Sequence, residues 1–86
     1  MSMPERHAPL VVVASASRPV ADRAAAELRE QGYLVCETHS DQGCLRVATS
    51  VGPDLIVLDP ALPSSLERRL RSHPTSAPAR IVRLAA

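Results

Sequence analysis

No lysine occurs among the 86 residues, nor any tryptophan or phenylalanine, and Tyr33 is the single aromatic side chain. All ten basic residues are arginine, so chemistry that needs a lysine amine is excluded. The net charge is +1, too small a field to draw in nucleic acid or a membrane surface. No apolar run approaches the roughly 20 residues of a membrane span. Met1 to Pro9, with Arg6 and no apolar stretch, does not have the pattern of a secretory signal. Without such a signal, Cys36 and Cys44 fit reduced thiols, and a cytoplasmic location is expected.

What is present is an apolar fraction of 45%, drawn mostly from Ala, Leu and Val. That is ordinary for a globular chain and argues against disorder. The length allows one domain, and small domains bury a lower fraction of their surface, roughly 60% at about 60 residues. Each fully buried Leu or Val contributes about 1.5–3 kcal/mol, so a core of short aliphatics implies marginal stability or self-association.

Residues 1–9 read as a tail punctuated by Pro4 and Pro9, and residues 10–86 as one domain. Leu10-Val11-Val12-Val13-Ala14 is a continuous apolar run that fits a strand covered on both faces. Ser17 is placed to cap a helix whose first turn tolerates Pro19. Along that helix Val20, Ala24 and Leu28 recur every four residues, with Ala21 and Ala25 widening the stripe. Leu28 is therefore expected to be buried against a sheet. Gly32 suits the position just past the helix end. Tyr33 to Thr38 reads as a more polar strand at a sheet edge. Ser40 or Asp41 caps a second helix, with Cys44, Ala48 and Val51 sharing a face with Leu45 until Gly52-Pro53 ends it. Asp54-Leu55-Ile56-Val57-Leu58-Asp59 is a strand closed by a carboxylate. A short helix follows around Leu66 to Arg71, then a turn-rich link from His73 to Pro78, then a strand over Arg80 to Leu84. The alternation βαβαβαβ points to a parallel sheet with right-handed crossovers.

An aspartate at the carboxyl end of a buried parallel strand stands where open α/β sheets place their chemistry. Leu58-Asp59 followed by Leu62-Pro63, the lead-in Gly52-Pro53-Asp54-Leu55, and Gln31-Gly32-Tyr33 after the first helix resemble the receiver domains of bacterial response regulators. The resemblance implies a flavodoxin-like open parallel sheet of four strands in the order 2-1-3-4. It would lack the fifth strand and last two helices of a receiver. It also implies a phospho-acceptor position at Asp59. The acidic pair that binds Mg²⁺ beside the acceptor falls at Ser15 and Ala16, the switch hydroxyl at Ala85, and no lysine is available; none of these positions carries the required group. The expectation is a phospho-silent receiver-like module for protein–protein contact in bacterial signalling, with no enzymatic activity and no cofactor. Its partners would be a second copy and a histidine kinase or other signalling protein.

Two rival functions share these residues. Asp59 could be a working acceptor, which requires bound Mg²⁺. The cluster Arg68, Arg69 and Arg71 could serve a nucleic-acid accessory protein, with steeply salt-dependent binding; lacking interleaved aromatics, it reads better as a solvated face. Cys36, His39 and Cys44 fit no standard zinc spacing, and the cysteines are expected to pack as small hydrophobes. Ser15-Ala16-Ser17 lacks the glycines that let a phosphate approach a helix start, and reads as a connector. Arg80, Ile81, Val82, Arg83 and Leu84 form an unpaired sheet edge, the expected seat of a homodimer.

Overall fold

A computed structural model of the chain describes residues 8–84. Seven elements alternate: β1 (Leu10–Ala14), α1 (Arg18–Glu30), β2 (Leu34–Thr38), α2 (Asp41–Val51), β3 (Leu55–Leu58), α3 (Ser64–Ser72) and β4 (Arg80–Arg83). The strands form one parallel sheet in the order β2-β1-β3-β4, with Val12 level with Cys36 and Ile56, and Ile56 level with Ile81. The central strands are apolar on both sides because helices cover both faces, and Val11 to Ala14 are fully buried.

Alternation along the strands divides the core in two. Val12, Ala14, Ile56 and Leu58 face α2 and α3, where Cys44, Ala48, Leu66 and Leu70 close the larger cluster. Val11, Val13 and Val57 face α1 with Ala21, forming a thinner cluster to which Leu28, Val35, Tyr33 and Leu84 add their edges.

Local chemistry sets the helix ends. The Ser17 hydroxyl accepts from the Val20 N–H, with Pro19 in the first turn where a missing N–H costs nothing. At α2 the cap is Ser40, whose Oγ accepts from the Gly43 N–H at 2.9 Å. Gly52 ends α2 in the left-handed region at φ 60°, and its N–H returns to the Ala48 carbonyl. A side chain there would be strained and would press on Thr75.

Two expected core positions lie elsewhere. Val20 is 40% exposed and Leu28 only half-buried, while Ala21 and Ala25 are fully buried. The alanines let α1 approach β1 and β2 closely, which rotates the larger side chains of the stripe toward the β3–β4 half of the sheet, where no described element lies over them. Val51 is 42% exposed at the last turn of α2. The second strand begins at Leu34 rather than Tyr33, and the fourth ends at Arg83, one residue short of the sequence reading.

Candidate functional site

β1 and β3 lie side by side, so the loops that leave their carboxyl ends meet. The Asp59 N–H donates to the Ala14 carbonyl at 2.9 Å, which extends the ladder one residue and aims the Asp59 side chain at the start of the first loop. There the fully buried Ser15 donates its hydroxyl to Asp59 Oδ2 at 2.6 Å. The same Ser15 oxygen accepts from the Ser17 N–H at 3.1 Å, and the Ser15 N–H donates to the Thr38 carbonyl. The second carboxylate oxygen, Asp59 Oδ1, accepts from the Ala61 N–H at 2.8 Å, an Asx turn that opens the loop to α3. The Ser15 hydroxyl and then the Ala61 N–H hold the Asp59 carboxyl below its ordinary pKa, because both stabilise the charged form.

His39, just past β2, places Nδ1 3.3 Å from the Ser15 carbonyl, so all three strand ends converge on Ser15. Ala16 is exposed and offers no side-chain oxygen. Ala85 lies outside the described residues. Among the described residues no group of three or more His, Cys, Asp or Glu could hold a metal. Mg²⁺ requires an octahedral set of oxygens, usually with one or two carboxylates. Among the described residues at the ends of β1 and β3, Asp59 supplies the one carboxylate, with the Ser15 hydroxyl donating to one oxygen and the Ala61 N–H to the other, and Glu27 lines only the adjoining groove; this donor set does not fit the ion.

Cys36 is half-buried on β2 and Cys44 fully buried on α2; neither is in a disulfide. Burial pushes the Cys44 thiol up to about 11. In the arginine cluster, Glu67 binds Arg71 at 3.1 Å and reaches Arg83 on β4 at 3.3 Å, while Arg68 and Arg69 face solvent.

A groove of about 420 Å³ opens beside Asp59, between Pro19, Val20 and Ala24 of α1 and Leu84. It is continued by a second hollow of about 260 Å³ over Leu28, Val57 and Val82. Its floor is the uncovered half of the sheet, and one wall is the rotated stripe of α1.

No protein-family model and no curated protein sequence matches the chain. Solved structures do. The Vibrio cholerae chemotaxis protein CheY4 superimposes with a TM-score of 0.82 at 17% identity, over 90% of this chain and 68% of that one. The N-terminal domain of a response regulator receiver protein from Methanoculleus marisnigri gives 0.81 at 23% identity, over 91% and 67%. The signal receiver domain of a signal transduction histidine kinase from Syntrophus aciditrophicus gives 0.79 at 23% identity, over 91% and 62%. The chain has the receiver fold. It is truncated relative to these receivers, of which it spans about two thirds. The four-strand order is that of the flavodoxin-like class.

Within the receiver fold, Asp59 stands at the end of the third strand, beside the topological switch point between β1 and β3. Ser15 and Asp59 share the site that the receiver resemblance implies, and the structure adds the hydrogen bond between them. The signal was available in principle: a hydroxyl at a position one residue past β1 neighbours whatever stands one residue past β3. From the sequence His39 suggests only a metal ligand, whereas it lies against the Ser15 backbone.

Proposed function

We propose that this chain is a receiver-fold module that works by protein–protein contact, self-association first, and that it neither accepts nor transfers a phosphoryl group. The observation that carries this reading is the state of Asp59. An acceptor carboxylate needs one oxygen free to attack phosphorus and the other on a metal that offsets the accumulating charge. Here one oxygen is engaged by the Ser15 hydroxyl at 2.6 Å and the other by the Ala61 N–H at 2.8 Å. The carboxylate serves as a strap that ties the end of β3 to the end of β1 and to the first turn after β3. The module is proposed to act in the cytoplasm of a signalling system, where its two free cysteines stay reduced, and a histidine kinase or other signalling protein is its further partner.

Contact as the mode of action is supported by the groove and the β4 edge. Val20 and Val82, at 40% and 45% exposed, flank a partly uncovered sheet face, and such patches on small domains mark interfaces. The nucleic-acid reading of Arg68, Arg69 and Arg71 is disfavoured because Glu67 already binds part of the cluster and no aromatic side chain is near to stack on bases.

Calorimetric titration with Mg²⁺, alone and with beryllofluoride, tests the phospho-silent reading. The expected result is no binding at millimolar Mg²⁺. Binding in that range that disappears in Asp59→Ala overturns it. Sedimentation over a concentration series tests the self-association: a folded chain that stays monomeric at micromolar concentration refutes it.

A further inference from the structure

We infer that the outer edge of β4, unpaired among the described residues, pairs antiparallel with β4 of a second copy, in the register that sets Val82 opposite its own counterpart; this rests on the self-association proposed above. The backbone decides which groups are available. The Arg80 N–H donates to the Asp54 carbonyl and the Leu84 N–H to the Leu58 carbonyl, so Arg80, Val82 and Leu84 turn their peptide groups toward β3. Those of Ile81 and Arg83 therefore point away from the sheet, and among the described residues β4 is an edge strand. Unpaired edges of this kind are templates for another strand.

A two-fold axis through paired edges requires antiparallel strands, and only the outward residues can form hydrogen-bonded pairs. Three centred registers satisfy this. Centring on Arg83 opposes two guanidiniums, a direct like-charge clash. Centring on Ile81 sets Arg83 against Ala79, whose N–H is already given to the Ser76 carbonyl at 3.0 Å, and leaves Leu84 beyond the ladder. Centring on Val82 pairs Ile81 with Arg83 of the second copy, twice, for about four backbone hydrogen bonds. It also sets Arg80 beside Leu84 and brings no like charges face to face. Arg83 keeps its ion pair with Glu67, which lies on the α3 side of the sheet. Val82, 45% exposed and the large hydrophobic side chain that β4 leaves bare, then meets its counterpart on the α1 side.

Packing the bare faces together is the geometric alternative. The groove over Val57 is concave, and a two-fold axis would bring one hollow against an identical hollow, rim to rim, leaving both unfilled. The edge is self-complementary where the face is not.

Val82 pairs are of the non-hydrogen-bonded kind, with Cβ atoms about 4.5–5.5 Å apart, close enough for a disulfide with slight adjustment. In a Cys36→Ala background, Val82→Cys is expected to form a covalent dimer under oxidised glutathione. Leu34→Cys, a control on the opposite sheet edge that is still more exposed at 57%, should not. Val82→Asp and Val82→Lys should each weaken the dimer about ten-fold or more while circular dichroism stays unchanged, and an equimolar mixture of the two should recover it. A dimer that persists with no faster crosslinking at Val82 than at Leu34, or no recovery on mixing, overturns the register and leaves self-association standing. A chain that remains monomeric and folded at micromolar concentration overturns both.

Discussion

Ser15→Ala probes the Asp59 strap most directly. The substitution removes a methyl-sized polar atom from a fully buried position, so it creates almost no cavity and its cost is electrostatic. Two hydrogen bonds are lost: the 2.6 Å bond to the Asp59 carboxylate and the 3.1 Å bond from the Ser17 N–H. A hydrogen bond to a charged group is worth about 1.5–3 kcal/mol when buried and a neutral one about 0.5–1.5 kcal/mol. Asp59 is only half-buried and water can replace part of the lost partner, so the sum is discounted to about 1–2 kcal/mol. For a domain of this size that corresponds to a melting temperature lower by roughly 5–15 °C. The effect must also depend on pH. Because the folded state holds the Asp59 pKa below its unfolded value, the contribution is present above the unfolded value near 3.9 and is lost as pH falls through the folded one. Urea unfolding of wild type and Ser15→Ala should therefore show a gap at pH 7 that narrows below pH 4. A gap of equal size at pH 7 and at the lowest pH where both fold refutes the argument, as does an undiminished gap in an Asp59→Asn background.

Three further outcomes follow from the packing and the titrating groups. Leu28→Ala should cost about 1–2 kcal/mol, well short of the about 2–5 kcal/mol expected for the fully buried Leu70→Ala, and urea midpoints will rank them. Cys44 should resist alkylation in the folded protein, its thiol raised by burial to about 11, while Cys36 reacts first; mass spectrometry after timed iodoacetamide treatment checks the order. The Glu37 carboxyl on β2 is raised, chiefly by the neighbouring Asp22 carboxyl, which favours a proton held between the two, and then by burial, against the opposing pull of Arg29 3.6 Å away. Its stabilising contribution is therefore present below the unfolded pKa and fades as pH rises through the folded one, so Glu37→Gln should gain stability relative to wild type on going from pH 4 to pH 7.

The alternation of apolar runs with helical stripes, the serines before α1 and α2, and the glycines after them are local signals, each acting within a few residues. Parallel pairing then follows, because consecutive strands joined by helices can share a sheet only by crossing over. For this reason the element order, the parallel sheet and the position of Asp59 at a strand end were legible from the chain itself, whereas the sheet order β2-β1-β3-β4 was implied only by the resemblance to receivers. The rotation of α1 was not. Val20, Ala24 and Leu28 form as good a stripe as Ala21 and Ala25, and only docking decided that the alanine pair faces β1 and β2 while Val20, Ala24 and Leu28 border an open groove. Likewise Val51 shares a helical face with the buried Cys44 and Ala48, yet at the last turn of α2 it is left 42% exposed. The Ser15–Asp59 bond joins residues 44 apart in sequence. No local pattern encodes such a contact, because it exists only once β1 and β3 are neighbours in register, and it is this contact that turns a strand-end carboxylate into a strap.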